Sequence, residues 1–227
     1  MTDGEFRLAY VPGVTPGKWA GVWAERVREV PLRLLQMPAA EVVPLLRNGD
    51  VDAAFLRLPG DREGLHVIPL YLETTVVVVP KDHVVAAVEE VELADLADED
   101  VFEPLDDVLP WDERPGQPAF TRPESTAGAI ELVASGAGVL LLPQSLARLH
   151  HRKDLTYRTV TDAPQSQIGL AWLDAETTDL MEELIGIVRG RTPNSSRGRK
   201  PPQQPTRKKP PQQRPASKHR RQKRRRR

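Results

Sequence analysis

The first 58 residues alternate between two hydrophobic periods, and that alternation leaves few folds open. "FRLAYVPG" is a short apolar run closed by Pro12-Gly13, and "VTPGKWAGVWAERVREV" follows with Trp19, Trp23, Val27 and Val30 three or four residues apart. The first reads as a strand and the second as an amphipathic helix. Thr15 before Pro16 marks the helix start, because a threonine hydroxyl can accept from a free amide at the cap and proline is favoured at the first helical position. "VPLRLLQM" then alternates as a strand, "PAAEVVPLLRNG" is a helix opened by Pro38 and stopped at Asn48-Gly49, and "VDAAFLRL" is a third strand. The order β-α-β-α-β needs crossover connections, so it predicts a parallel sheet with right-handed crossovers.

The pattern continues less regularly. "GLHVIPLYLETTVVVVPKDH" holds two strands, and "TTVVVVP" has no polar face, as expected of a strand covered on both sides. "AAVEEVELADLADED" is acidic and helical at best, and "FEPLDDVLPWDERPGQPAFTRPE" has no clear period. Regular structure resumes with "STAGAIELVASGAG" as a helix, "VLLLP" as a buried strand, "QSLARLHH" as a short helix and "LTYRTV" as a strand, which fits a second βα lobe. "QSQIGLAWL" is one further strand, and "AETTDLMEELIGIVRGR" a helix with Leu180, Leu184, Ile187 and Val188 on one face.

A net charge of zero hides a partition. Residues 1–190 carry 16 Lys/Arg against all 32 Asp/Glu, whereas residues 191–227 carry the other 16 Lys/Arg and no acid. A body with sixteen surplus negative charges is thus joined to an equally positive tail, the pattern of an interaction tail on a folded body. Stretches such as "KPPQQPTRKKPPQQRP" cannot bury enough apolar surface to offset roughly 1–2 kcal/mol per residue of backbone ordering. Residues 192–227 are therefore expected to be disordered.

With no cysteine, neither a disulfide framework nor a thiol nucleophile can form. The start "MTDGEFRLAYV" lacks the charged and apolar regions of a secretory signal, and no apolar run approaches the roughly 18 residues of a membrane span. A cytoplasmic protein without membrane association is expected. His66, His83, His150 and His151 occur without G-x-S-x-G, H-E-x-x-H or G-x-x-x-x-G-K around them, and the adjacent His150-His151 would point about 100° apart on a helix. That absence of a catalytic constellation points away from an enzyme, and no cofactor or metal is expected.

Three pieces in register carry a resemblance. "VDAAFLRLP", then "LHVIPLYLETTVVVVPKDHVVA", then "IELVASGAGVLLLPQSLARL" resemble the effector-binding domain of LysR-type transcriptional regulators from about Phe6 to Arg191. The resemblance implies an α/β fold of two lobes joined by two crossing strands, like type 2 periplasmic binding proteins, with a small effector in the cleft. Domain 1–191 then divides into lobe I at about 6–80 and 163–191 and lobe II at about 89–160, followed by the tail 192–227. Members normally carry a winged helix-turn-helix before this domain, but here the first strand begins at Phe6. The expectation is a domain without its own helix-turn-helix, with lobe II shortened between Phe102 and Arg122.

In open α/β sheets the ligand crevice lies at the carboxyl ends of the strands, where helix amides are free. Four segments qualify. In "VPGVTP", Gly13 permits close backbone approach and Val14 and Thr15 would face the cleft, although Thr15 could serve only as a cap. Arg57, past the third strand, could fork onto a carboxylate ligand or be held in a structural ion pair. Ser125 and Thr126 open the helix of the second lobe, as ligand contacts or as caps. His83 follows the crossing strand and more readily orders that turn than binds a ligand.

These residues make two functional classes. One is a sensor for a small polar or anionic metabolite, pairing side by side as a homodimer and carrying a basic tail, 192–227, that either binds nucleic acid weakly and without sequence preference or folds back on the acidic body. The other is a protein–protein interaction module whose cleft is vestigial, plugged by Leu58 or by Trp19 and Trp23.

Overall fold

The structure, a computed structural model, describes residues 4–175 and 177–191. The tail expected to be disordered, 192–227, lies outside the described residues.

The opening β-α-β-α-β order forms as the two periods predict. Strands β1 (Phe6–Tyr10), β2 (Leu32–Gln36) and β3 (Ala53–Leu58) pair in parallel, with β1 central, and the connections are helices α1 (Gly17–Arg26) and α2 (Ala39–Asn48). Gly49 closes α2 at φ 73°, a left-handed conformation that glycine adopts without a Cβ clash. At α1 the sequence expectation shifts by one residue. Pro16 already has helical angles (φ −76°, ψ −2°) and is the cap, so Thr15 lies outside the helix and makes no cap hydrogen bond. Trp23, on the inner face of α1, is fully buried and donates its indole N–H to the Val30 carbonyl at 2.8 Å.

Strands β4 (Leu65–Glu73) and β11 (Ser166–Leu173) extend this sheet antiparallel, giving the order β2-β1-β3-β11-β4. Helix α5 (Asp179–Val188) packs against the same sheet through the expected Leu184 and Ile187 together with Met181 and Ile185. Leu180 and Val188 are half-buried at its flanks.

The second lobe is a sheet in the order β6-β10-β5-β9, from β5 (Thr75–Pro80), β6 (Glu90–Val91), β9 (Leu140–Pro143) and β10 (Leu155–Val160). Residues up to 80 were expected in the first lobe, yet β5 pairs with β9 and β10 and lies in the second sheet. Its alternation explains how "TTVVVVP" is covered on both sides. Val76 and Val78 face helix α3 (Thr126–Ala134) and α4 (Gln144–Leu149), while Val77 and Val79 share the other face with Leu141 and pack against Leu96 and Leu109.

That second face is not covered by an α-helix. The acidic stretch expected to be helical at best forms two single 3-10 turns, Val84–Ala87 and Leu93–Leu96, because its few apolar residues anchor one turn each. Two-residue strands β7 (Asp100–Val101) and β8 (Gln117–Pro118) pair in parallel and frame the segment between them. No helix among the described residues is long and apolar enough to cross a membrane.

Candidate functional site

The chain passes between the lobes twice in short links, from β4 to β5 at Glu73-Thr74-Thr75 and from β10 to β11 across residues 161–165. These links are tied to each other, since Thr75 donates its hydroxyl to the Pro164 carbonyl at 2.5 Å and Ser166 donates to Glu73 Oε2 at 3.0 Å. The amide of Gln144, at the start of α4, donates to the Thr74 carbonyl at 2.9 Å.

Glu73 is the centre of this junction. Its side chain is 4% exposed, and it accepts from Arg57 Nε at 2.9 Å, from Ser166 and from the Ser145 hydroxyl. Arg57 is itself 6% exposed and also donates through Nη2 to Ser145 Oγ at 3.3 Å. A buried ion pair needs such additional hydrogen bonds, because desolvation of two charges consumes most of their mutual attraction. Of the two roles open to Arg57, the structure shows the ion pair. Its Nε and Nη2 are engaged, and it lies within strand β3 rather than past it while still lining the cleft. Gly13 closes the group from the first lobe at φ 89°, and a Cβ added there would lie 2.5 Å from Ser145 Oγ and 2.9 Å from Arg57 Nη2. Tyr71, 39% exposed, lies beside this group, and partial burial together with the Glu73 carboxylate holds its hydroxyl proton above the ordinary tyrosine range.

Three cavities border both lobes: one of about 590 Å³ runs from Ala39 and Arg57 to Asp107 and Leu109, and two more share Gln36 and Leu149. The larger of these two, about 1170 Å³, is bordered by Val14, Thr15 and Lys18 on one side and by Ser145 and Arg148 on the other. The smaller, about 340 Å³, is lined by Arg57, Asp106, Ser125, Thr126, Leu146 and His150. The five residues singled out from sequence therefore divide into Val14 and Thr15 at one cavity and Arg57, Ser125 and Thr126 at the other. Val14 is buried in the core of the first lobe, whereas Thr15 is exposed. The cleft is not plugged as the interaction-module reading requires, since Leu58 and Trp23 are buried in the first lobe's core and Trp19 packs on Phe55 at 4.6 Å.

Ser125 and Thr126 make two different contacts. Ser125 caps α3 by accepting from the Gly128 amide at 3.2 Å. Thr126, 5% exposed, donates its amide at 2.6 Å and its hydroxyl at 2.9 Å to the same atom, Oδ1 of Asp106. A carboxylate at a helix start is favoured by the free amides and the helix dipole. The loop carrying Asp106 is held in place, because Leu105 donates its amide to the Pro123 carbonyl and Arg114 bridges Glu103 and Asp107 at 3.0 and 2.6 Å.

Sequence reasoning missed Glu73, Asp106, Ser145 and Ser166. Glu73 left a signal, as an acid directly before a run with no polar face. Asp106 left none, sitting in the stretch without periodicity. His83 orders its turn, accepting from the Val85 amide on Nδ1 at 3.2 Å with Nε2 at 3.3 Å from Glu99. No group of three or more His, Asp or Glu among the described residues is placed to hold a metal ion.

A family model described as the LysR substrate binding domain matches residues 2–193. The probable hydrogen peroxide-inducible genes activator of Mycobacterium avium is 30% identical over 190 residues, which is 78% of this chain and 61% of that protein. The chain thus spans about three-fifths of the length of that relative. The HTH-type transcriptional regulator CatR of Pseudomonas putida is 31% identical over 66% of this chain and 57% of its own length. Among solved structures, the BenM effector binding domain with its effector benzoate superposes with a TM-score of 0.69 at 20% identity, covering 84% of this chain and 92% of that one. The oxidized form of OxyR superposes with a TM-score of 0.68 at 23% identity, covering 83% and 95%.

Proposed function

The chain belongs to the LysR substrate binding domain family, and from that premise we propose that it senses a small molecule held between its two lobes, whose closure alters contact with a regulatory partner. The observation that carries this reading is the cavity of about 340 Å³ lined from both lobes. That volume is within the range of small-molecule sites, and a ligand touching both walls favours the closed arrangement by its differential contacts. The homologue's name points to peroxide, but none of the 227 residues is cysteine, so no thiol in them can pass through the sulfenic acid and disulfide steps of a redox switch. Ligand-driven closure is the reading that fits these residues.

A thermal-shift screen of small polar compounds on the full chain tests it. A ligand at 100 times its Kd adds about 2.7 kcal/mol, worth about 5–10 °C in a domain of this size. At least one stabiliser is expected whose effect disappears when Gln36 and His150 are both replaced. A broad screen without a stabiliser overturns the reading. Side-by-side pairing of two copies belongs to the same reading and is tested by light scattering on the purified chain.

The charge partition supports a second role. Sixteen cations in residues 191–227 can release phosphate counterions without reading bases, which gives nucleic-acid binding that is indifferent to sequence and falls steeply with salt. Titration of the full chain, and of a variant with those cations changed to glutamine, against two unrelated DNA duplexes tests this. Binding that survives molar salt, or that is equal in the two proteins, overturns it.

A further inference from the structure

The cavity of about 340 Å³ contains the two groups best suited to receive a carboxylate, and each already holds one from the protein. The Thr126 amide and hydroxyl are both engaged by Asp106 Oδ1, at 2.6 and 2.9 Å. The Arg57 guanidinium is engaged by Glu73 Oε2 at 2.9 Å, in a pair almost closed to solvent. We propose that Asp106 is the specificity-determining residue of this cavity: it fills the anion seat from within, so that the cavity selects ligands offering hydrogen-bond donors or positive charge over carboxylates. This deepens the effector-sensing reading and rests on it.

Asp106 accepts only through Oδ1, so Oδ2 has no hydrogen-bond partner among the described residues. Asp106 is exposed, and the cavity it lines also takes in Gln36 and His150, whose side chains make no hydrogen bond among the described residues. The companion Asp107 is not available in this way, being bound to Arg114 and to the Leu109 amide. A ligand carboxylate would meet the like charge of Asp106. To reach Thr126 it would have to evict that side chain, exchanging one set of charge-assisted bonds for an equal one with no net gain. An amidinium, amine or amide instead gains the Oδ2 acceptor without disturbing the bonds to Thr126. The sequence expectation of a polar or anionic metabolite is narrowed to its polar, donor-bearing half.

The test uses three probes of one shape, benzamidine, benzamide and benzoate, titrated by calorimetry into the full chain and its Asp106→Ala and Asp106→Asn variants. The native chain is expected to bind benzamidine at least tenfold more tightly than benzoate. Asp106→Ala frees the Thr126 amide and hydroxyl, so benzoate should gain at least tenfold and benzamidine should lose as much. Asp106→Asn keeps an acceptor oxygen on Thr126 without the charge, so it should weaken benzamidine while leaving benzoate excluded, and it serves as the control if the alanine variant folds poorly by circular dichroism. Benzoate binding that is equal in all three proteins overturns the role of Asp106 while leaving effector sensing in place. Failure of all three probes to bind the native chain, with benzoate still gained by Asp106→Ala, supports the filled seat but overturns the preference for donor-bearing ligands, and the broad screen then decides the sensing reading separately.

Discussion

Replacing Glu73 by leucine should destabilise the chain more than any other single change at the junction of the lobes. The change leaves the Arg57 guanidinium 6% exposed with Ser145 as its one remaining side-chain partner, and it strips Ser145 and Ser166 of their acceptor. Breaking a buried pair by removing one partner costs about 3–5 kcal/mol. In a domain of this size that is a fall in Tm of about 6–20 °C. Arg57→Met should cost less, about 2 kcal/mol, because the Glu73 carboxylate keeps two hydroxyl donors. The double variant Arg57→Met, Glu73→Leu removes both charges and should lie closer to the native chain than Glu73→Leu alone. Urea unfolding followed by tryptophan fluorescence measures all three, with Trp23 reporting from the fully buried core of the first lobe. A cost for Glu73→Leu below about 1 kcal/mol, the scale of an exposed pair, would refute the reasoning, as would a double variant no more stable than that single one.

Three further outcomes are expected. Gly13→Ala places a β-carbon against Ser145 and Arg57 in a left-handed conformation, so it should lower stability by roughly 1–2 kcal/mol in urea unfolding and weaken any cleft ligand in calorimetry. Ser125→Ala removes the cap of α3 and should cost about 1 kcal/mol by thermal denaturation. Burial and the Glu73 carboxylate raise the Tyr71 hydroxyl, so its protonated form is favoured by folding; that contribution is present below the unfolded value of about 10 and is lost as pH rises beyond it. An ultraviolet titration should show one of the three tyrosines ionising late, and Tyr71→Phe should flatten the loss of stability above that pH.

Much of the scaffold was legible because it rests on period. The unbroken "TTVVVVP" fixed a strand covered on both faces, and Asn48-Gly49 fixed the end of α2 by its backbone requirement. The cleft was legible only in part. Strand ends and helix starts pointed to Arg57, Ser125 and Thr126, which do line one cavity, since crevice position follows from topology. What the sequence withheld was pairing. Glu73 lies 16 residues from Arg57, and Asp106 lies 20 residues from Thr126 through a segment without hydrophobic period. No local rule connects such residues, so whether a candidate cation or amide was free or already occupied became visible only in three dimensions. The same limit explains the acidic stretch after β5, where a few apolar anchors in two short turns cover a sheet face that an amphipathic helix would have announced.

Whether the cleft binds a small molecule between the lobes is decided by a crystal structure of the full chain with the compound that most raises its Tm. Density is expected in the cavity between Gln36 and Asp106, touching both lobes and leaving Asp106 on Thr126. Density on an outer surface, with the cleft occupied only by water, would contradict binding between the lobes.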